Sequence, residues 1–285
     1  MEKIIVGFIL IFVSAYIIVL ARDIWKHKTE TKNEKGNFFL FGIFTCMVQF
    51  FSTFGISDFA LSIPVYRGTK TVDDGILPGT LLTATAIPGA LIAIIYITSV
   101  EVDMITLLIC VVSQVLGVFT GVRFVARLNG KVIKRIMGIC ITVSTVIMLI
   151  KMIGFGASGG ELYGLSIGTL IAIAPVFFIL GALNMVGFGT KAPAMSLLLS
   201  LGLSPLAVLP VVLSCCTFGS INGGIQFVRF GKYQRKVALA SSTIGLIGVI
   251  VGANFVKGLD TTVLQWIMLG IMVYTAYTML KPEKN

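Results

Sequence analysis

Residues 117–137 read GVFTGVRFVARLNGKVIKRIM, and residues 248–268 read GVIVGANFVKGLDTTVLQWIM. When the two stretches are aligned at a constant shift of 131 positions, many residues of the first meet an identical residue of the second. The matching positions in the first stretch are Gly117, Gly121, Phe124, Val125, Leu128, Val132, Ile136 and Met137. Two unrelated apolar helices do not share so many identities at one spacing by chance, so we predict that the chain contains an internal repeat.

The repeat lies among long segments that carry no charged residue. Of the 285 residues, 56% are hydrophobic and 12% are charged. Uncharged runs long enough to cross a bilayer as helices occupy residues 4–21, 76–100, 104–122, 237–256 and 261–280. A membrane barrel would read instead as short strands of alternating hydrophobicity. The sequence therefore predicts an all-α polytopic membrane protein whose surroundings are the lipid bilayer.

The charge and the cysteines argue against several other classes of protein. The formal net charge is +10, but Lys and Arg collect in the cytoplasmic loops of membrane proteins, so we expect no nucleic-acid partner. All five cysteines lie in apolar runs, where thiols pack as small hydrophobes, and the one histidine, His27, lies in a hydrophilic segment. We therefore expect no metal site, no cofactor and no enzymatic activity. The sequence also contains no phosphate-binding motif of an ATP-driven pump.

The first apolar run, residues 4–21, is predicted to remain in the membrane. One lysine precedes it and five Lys or Arg residues follow between Arg22 and Lys35, which is the wrong polarity for a cleaved signal peptide. By the positive-inside rule, the N-terminus lies outside and residues 22–35 form a solvated connector in the cytoplasm.

The loops of the two copies differ in charge. Loop 123–135 contains five basic and no acidic residues, whereas its counterpart 254–266 contains one of each. Loop 98–105 contains two acidic and no basic residues, whereas its counterpart 229–236 contains four basic and no acidic residues. Because basic loops face the cytoplasm, equivalent loops lie on opposite sides of the membrane. We predict that the two repeats are inverted and that the C-terminus is cytoplasmic.

The predicted organisation has three parts. Residues 1–35 form an extra N-terminal transmembrane helix and its cytoplasmic connector, residues 36–152 form the first repeat, and residues 153–285 form the second. Each repeat is expected to contain a broken or re-entrant helix. Inverted repeats with interrupted helices are typical of secondary transporters, which bind their substrates near the middle of the bilayer.

Each repeat carries one charged residue deep in an apolar stretch. A shift of 132 aligns Gly55 with Gly187 and lays STFGISDFA (52–60) over NMVGFGTKA (184–192). Asp58 is the only charged residue of residues 36–66, and Lys191 is the only one of residues 163–228. A charge at the centre of a membrane helix costs about 2.5–3.5 kcal/mol, so both residues are candidates for function.

The helix breaks are the predicted substrate site. Where a helix breaks, main-chain N–H groups of a helix N-terminus point into a cavity and can bind an anion. The candidate substrate-binding residues are Lys191, Thr190, Ser57, Asn184, Ser52, Gly55, Gly187 and Gly189. The second tier of candidates is Thr83, Ser220, Asn222 and Arg123.

Asp58 is assigned to coupling or gating. A buried carboxylate can take up a proton, because water no longer stabilises its charged form. The alternatives are that Asp58 and Lys191 only pair with each other, or that both line a watery vestibule. A salt bridge that opens when substrate enters satisfies both the pairing and the functional interpretation. Gln49, Gln114 and Asn222 are expected to form hydrogen bonds between helices.

The break regions and the glycine-rich helices resemble a known family. Residues 55–59, followed by Pro64, and residues 187–191 occupy the place of a G-x-G-G-G stretch near the start of each repeat. Gly79-Thr80-Leu81-Leu82 is similar to the helix that follows, and Gly117 to Gly121 and Gly248 to Gly252 are similar to a G-x-x-x-G helix. Over residues 37–280 the chain resembles the sulfite exporter TauE/SafE family of permeases. Ser57, Asp58, Phe59, Thr190 and Lys191 replace glycines of that pattern, so they are candidates to determine specificity.

The resemblance implies transport of organosulfur anions. We expect a secondary transporter of small anions such as sulfite, sulfonates or related oxyanions, coupled to protons through Asp58 and located in the cell (inner or plasma) membrane. An anion channel and a permease for a small carboxylate remain alternatives. An intramembrane enzyme would need a nucleophile and base, and an assembly factor would not need charges at both breaks. The direction of transport is left open, and a homo-oligomer is compatible with the sequence.

Overall fold

The computed structural model describes residues 2–150 and 160–255, together with Val273 and Tyr277. The predicted helix 261–280, the end of the second repeat, the C-terminus and the boundary between the repeats at 152/153 lie outside these residues. The described part is helical, as predicted, with one isolated bridge between Leu162 and Leu203. Its helices are α1 (Glu2–Lys26), α2 (Lys28–Asn33), α3 (Phe38–Ser52), α4 (Asp58–Gly68), α5 (Leu77–Ser99), α6 (Met104–Val125), α7 (Gly130–Ile150), α8 (Ile167–Asn184), α9 (Lys191–Ser200), α10 (Pro205–Arg229), α11 (Arg235–Thr243) and α12 (Gly245–Phe255).

Six helices of the described chain are long and apolar enough to cross a membrane. They are Lys3–Lys26, Leu77–Ser99, Met104–Val125, Ile167–Asn184, Pro205–Arg229 and Arg235–Asn254, the last of which joins α11 and α12. Large apolar side chains such as Ile11, Ile171 and Ile247 are exposed on these helices, as a lipid-facing surface requires. The prediction of a polytopic helical membrane protein is confirmed.

Helices α5 and α10 form the buried centre and run antiparallel. The Thr85 hydroxyl donates to Ser220 Oγ (3.1 Å), and the Thr217 hydroxyl donates to the main-chain oxygen of Gly89 (2.8 Å). Later residues of α5 thus contact earlier residues of α10, so the two helices run in opposite directions. Most residues of both helices are buried, because other helices surround them.

The chain reverses direction at two glycines, as the sequence predicts. Gly55 has φ +79° and Gly187 has φ +89°, a left-handed conformation that side chains other than glycine rarely adopt. Each glycine follows a longer helix and precedes a short one, so that α3–α4 and α8–α9 form two helical hairpins. With 11 and 10 residues, α4 and α9 are each only about 15 Å long and do not span a bilayer.

The two hairpins enter the molecule from opposite ends. The α3–α4 hairpin begins beside the start of α11, where Gln234 donates to the main-chain oxygen of Lys35. It ends beside the start of α7, where Gly75 contacts Gly130. The α8–α9 hairpin begins and ends beside the start of α6 and of α10, where the segment 160–165 bonds to residues 103–106 and 202–204.

Helix packing across the two halves is reciprocal. A Cβ atom at Gly117 of α6 would overlap the main-chain oxygen of Phe178 in α8, and one at Gly248 of α12 would overlap that of Cys46 in α3. Cys46 and Phe178 are 132 positions apart, the shift that aligns the breaks. The contact of α6 with α8 is thus repeated by the equivalent helices α12 and α3, with the roles of the two halves exchanged. Reciprocal contacts of this kind are characteristic of twofold symmetry.

The connector between α1 and α3 docks on the junction of α10 and α11. The Tyr233 hydroxyl and Arg235 Nε both donate to Asp23 Oδ2, at 2.6 and 2.7 Å. The Glu34 carboxylate accepts from the main-chain N–H groups of Arg235 and Lys236, which are the first residues of α11. Burial and the hydrogen bond to the Asp23 carboxylate raise the pKa of Tyr233, which therefore donates as a neutral phenol. The expectation of a fully solvated connector is wrong for Asp23 and Glu34.

Candidate functional site

The two intramembrane charges form an ion pair where the hairpins meet. Lys191 Nζ lies 3.0 Å from Asp58 Oδ1, and about nine-tenths of each side chain is buried. The ammonium also donates to Ser52 Oγ (2.7 Å) and to the main-chain oxygen of Ile56 (3.4 Å). Lys191, at the start of the second hairpin's short helix, therefore reaches into the break of the first hairpin.

The two short helices begin at residues of opposite charge, α4 at Asp58 and α9 at Lys191. Ser57 caps α4, because its hydroxyl oxygen accepts from the N–H of Ala60, and Asp58 begins the helix. A carboxylate is stabilised at a helix N-terminus, whereas an ammonium such as that of Lys191 is destabilised there. The Lys191 ammonium is instead held by acceptors of the other hairpin: the Asp58 carboxylate, Ser52 Oγ and the main-chain oxygen of Ile56.

One small cavity lies on the α3 side of the ion pair, and we call it the glutamine cavity. It has a volume of about 20 Å³, and Asp58 and Lys191 form part of its wall. Its other polar lining residues are Gln49, Ser52, Thr85, Thr217 and Ser220. A volume of about 10–15 Å³ is enough for one water molecule.

A second cavity of about 20 Å³ lies on the α8 side of the pair, and we call it the asparagine cavity. Its polar lining residues besides the ion pair are Ser57, Asn184, Thr190, Cys216 and Ser220. Gly189 completes the wall, and a Cβ atom there would lie 2.7 Å from Ser57 Oγ. Its amide, hydroxyl and ammonium groups can donate hydrogen bonds to an oxyanion, although the volume in this structure is that of about one water molecule.

Buried apolar clusters lie on both sides of the cavities. Ile92, Tyr96, Leu213 and Val249 form a cluster beside the glutamine cavity, where the Tyr96 hydroxyl donates to the main-chain oxygen of Thr53 (2.7 Å). Phe59, which lines the asparagine cavity, belongs to a second cluster with Leu82, Met185 and Val186. The ion pair therefore lies between two apolar clusters, and we call the pair together with its two cavities the chamber.

Most of the predicted site residues meet at this chamber. Those that line one or both cavities are Lys191, Thr190, Ser57, Asn184, Ser52, Gly189, Asp58 and Ser220. Gly55 and Gly187 form the turns that bring them together. Thr83 and Asn222 bond to the main-chain oxygens of Gly79 and Phe218 in their own helices, and Arg123 is exposed at the end of α6. These last three residues do not line either cavity.

Four polar lining residues are not among the candidate site residues from the sequence: Gln49, Thr85, Thr217 and Cys216. Thr85 and Thr217 are 132 positions apart, so the shift that aligns the breaks also marks this pair. Cys216 lies in an apolar run and is indistinguishable there from a packing cysteine. The expectation of a hydrogen bond between helices is wrong for Gln114, neither of whose amide atoms has a partner among the described residues. It is also wrong for Asn222, whose amide donates to Phe218 O within its own helix.

The match to a known family covers most of the second hairpin and the chain beyond it. The description of the matching family is Sulfite exporter TauE/SafE, and the matched residues are 170–285. This confirms the resemblance. The matched range contains the break at Gly187 and the site residues Thr190 and Lys191, so the TauE/SafE match includes one side of the chamber. The match over residues 170–285 and the six candidate spans support a multi-pass membrane protein whose second half is similar to the TauE/SafE family. No curated protein and no solved structure matches the chain.

Proposed function

We propose that the protein is a secondary transporter of small sulfur oxyanions, with sulfite and sulfonates as substrates, and that the chamber around Asp58 and Lys191 is its binding site. The buried ion pair at the meeting of two helix N-termini is the observation that carries this proposal. An entering anion competes with the Asp58 carboxylate for the Lys191 ammonium, and the asparagine cavity supplies further donors. A TauE/SafE permease is expected to act on such anions.

The charge balance of the pair favours proton coupling. When an anion takes the ammonium of Lys191, the carboxylate of Asp58 loses its counter-ion while it is still buried. An uncompensated buried charge costs several kcal/mol, and a proton that binds the carboxylate removes that cost. One proton would then accompany each monovalent anion, so that transport carries no net charge.

Anion binding is tested by thermal stability. We expect sulfite or a small sulfonate to raise the melting temperature of the purified permease, because a ligand at 100 times its Kd stabilises the folded state by about 2.7 kcal/mol. Lys131→Met, which alters an exposed lysine of α7, should respond as the wild type does. A larger response to small carboxylates would favour the carboxylate permease. Uptake that does not saturate would favour the anion channel.

Proton coupling is tested by uptake into proteoliposomes after a pH jump. We expect an inward proton gradient to accelerate anion uptake by the wild-type protein. Asp58→Asn keeps a neutral, hydrogen-bonding side chain that cannot exchange a proton, so its uptake should no longer respond to the gradient. Equal proton dependence in both proteins would discard this role of Asp58.

The topology that we propose is an inverted repeat in the cell membrane. It is supported by the antiparallel α5 and α10, the reciprocal glycine contacts and the hairpins that enter from opposite ends. The end that contains residues 22–36, 123–131 and 229–236 is rich in Lys and Arg and would be cytoplasmic, whereas Glu101 and Asp103 lie at the other end. The N-terminus would then lie outside and the C-terminus inside.

Labelling of introduced cysteines tests this orientation. On intact cells, a membrane-impermeant maleimide should react with Glu101→Cys and not with Arg127→Cys, since the two residues lie at opposite ends. The cysteine-containing wild type provides the labelling background, since of its described cysteines Cys110 and Cys215 are buried and Cys46 and Cys216 are half-buried. The reverse labelling pattern would invert the assignment.

A further inference from the structure

A buried amide oxygen without a partner lines the cavity on the α3 side of the ion pair. Gln49 is 2% exposed, and its Oε1 has no hydrogen-bond partner among the described residues. A buried acceptor that is left unsatisfied costs about 1–3 kcal/mol, so such an atom calls for an occupant of the cavity that it lines. Gln49 lines the glutamine cavity, whose volume of about 20 Å³ is that of a single water site.

Two of the four hydroxyl groups that line the glutamine cavity are committed as donors elsewhere, whereas those of Ser52 and Ser220 accept from Lys191 and Thr85 and keep a proton to donate. The Thr217 proton goes to the main-chain oxygen of Gly89 (2.8 Å), and the Thr85 proton goes to Leu81 O or Ser220 Oγ (3.1 Å each). Each hydroxyl has one proton, so these oxygens offer only lone pairs to an occupant. Gln49 Oε1 and the Asp58 carboxylate are also acceptors. The occupant that fits is therefore a small molecule with more than one O–H or N–H group.

We propose that the glutamine cavity binds one water molecule, held by Gln49, and that Asp58 gains and loses its coupling proton through this water. The inference rests on the proton-coupled function proposed above. The water donates one hydrogen bond to Gln49 Oε1 and the other to the Asp58 carboxylate. Gln49 thus acts as a positioning residue that fixes the direction of the second O–H bond.

The proton transfer is balanced without any further reactant. An arriving proton binds a lone pair of the water, and the proton of the O–H bond directed at Asp58 passes to a carboxylate oxygen. The products are a neutral carboxylic acid and the same water, now reoriented. Release of the proton is the reverse. The Lys191 ammonium gives up its contact with the carboxylate in this step and is free to bind the anion.

The titratable groups around Asp58 are few. Lys191 of α9 contacts the carboxylate directly, and the thiol of Cys216 on α10 lines both cavities. The lining residues from α3 and α5 are Gln49, Ser52, Thr85, Gly89 and Ile92, which do not titrate. Among the described lining residues, the groups that can change the pH profile of uptake are thus Asp58, Lys191 and Cys216, and Asp58 is the one to which the proposed water donates.

The chain supplies a matched control for Gln49. Gln114 of α6 is also fully buried, and neither of its amide atoms has a hydrogen-bond partner among the described residues. Its main chain lies against Gly181 of α8. It does not line either cavity. Methionine has nearly the shape of glutamine and no strong polar atom, so both Gln49→Met and Gln114→Met replace a buried amide by an apolar group. Gln114→Met should not lower the melting temperature, since loss of an unpaired buried polar group is neutral or stabilising. Gln49→Met also removes the hydrogen bond to the proposed water, so it should lower the melting temperature only slightly.

Proton-driven uptake separates the two variants. We expect Gln49→Met to slow uptake driven by a proton gradient by about tenfold or more and to shift its pH profile, because a positioned proton-transfer partner contributes factors of this size or larger. Gln114→Met should keep the wild-type rate and profile. Stabilisation by sulfite should persist in both variants, since the anion binds through Lys191.

Two outcomes would overturn the water site. One is a Gln49→Met profile that matches those of the wild type and Gln114→Met. The other is uptake that depends on Na⁺ at fixed pH and loses this dependence in Gln49→Met, which would make the cavity a metal-ion site. A wild-type protein that sulfite and sulfonates do not stabilise would instead contradict the proposed function itself.

Discussion

Lys191→Met alone is expected to lower the free energy of unfolding by about 3–5 kcal/mol, since it leaves the buried Asp58 carboxylate without its partner. Lys191→Met combined with Asp58→Asn should recover most of the lost stability, because both members of the pair are then neutral. Melting temperatures of the purified proteins in one detergent measure this difference. The control is Lys131→Met, which removes an exposed charge of α7 and should change stability by only a few tenths of a kcal/mol.

The double variant also separates binding from folding. If Lys191 is the anion ligand, the double variant should be folded and yet should not be stabilised by sulfite or by any sulfonate. A double variant that still responds to these anions would show that the ligand binds elsewhere. A Lys191→Met protein as stable as the wild type would mean that the pair is not desolvated, as in the watery vestibule considered from the sequence.

The sequence is sufficient to mark the candidate site, because its signals are local. A single charge in an apolar stretch stands out whatever the fold, and the glycines at the breaks precede the short helices that begin at Asp58 and Lys191. The repeat adds the relation between the two places. The turns at Gly55 and Gly187 can be predicted because a left-handed conformation restricts the choice of residue.

Contacts between residues that are far apart in the chain cannot be predicted from this sequence. Whether Asp58 and Lys191 pair depends on the packing of two hairpins 132 or more positions apart, and the sequence leaves several outcomes open. An amide that lines a cavity, as Gln49 does, and one that joins two helices look identical in a sequence. The mixed charges of the connector are equally compatible with a solvated segment and with a docked one. The partners of Asp23 and Glu34 lie some 200 residues further on.

The reciprocal helix crossings provide the second large expected effect. Gly117→Ala should lower the free energy of unfolding by about 1–3 kcal/mol or more, since the new methyl group would overlap the main-chain oxygen of Phe178, which cannot move without displacing α8. Gly248→Ala should lose a similar amount through the main-chain oxygen of Cys46. Similar losses at both positions are expected because the two crossings are equivalent. Melting temperatures in detergent provide the comparison.

Two glycines in candidate membrane-spanning helices, which have open space around them, are the controls for this experiment. A Cβ atom at Gly7 of α1 or at Gly168 of α8 would meet no atom within 4 Å. There Gly→Ala should be neutral or stabilise by about 0.5–1 kcal/mol, because alanine loses less conformational freedom than glycine in a helix. Opposite signs at Gly168 and Gly117 would attribute the loss to the α6–α8 crossing rather than to helix propensity. If Gly117→Ala is harmless and Gly248→Ala is not, the two crossings are not equivalent, and the inverted repeat loses its strongest structural support.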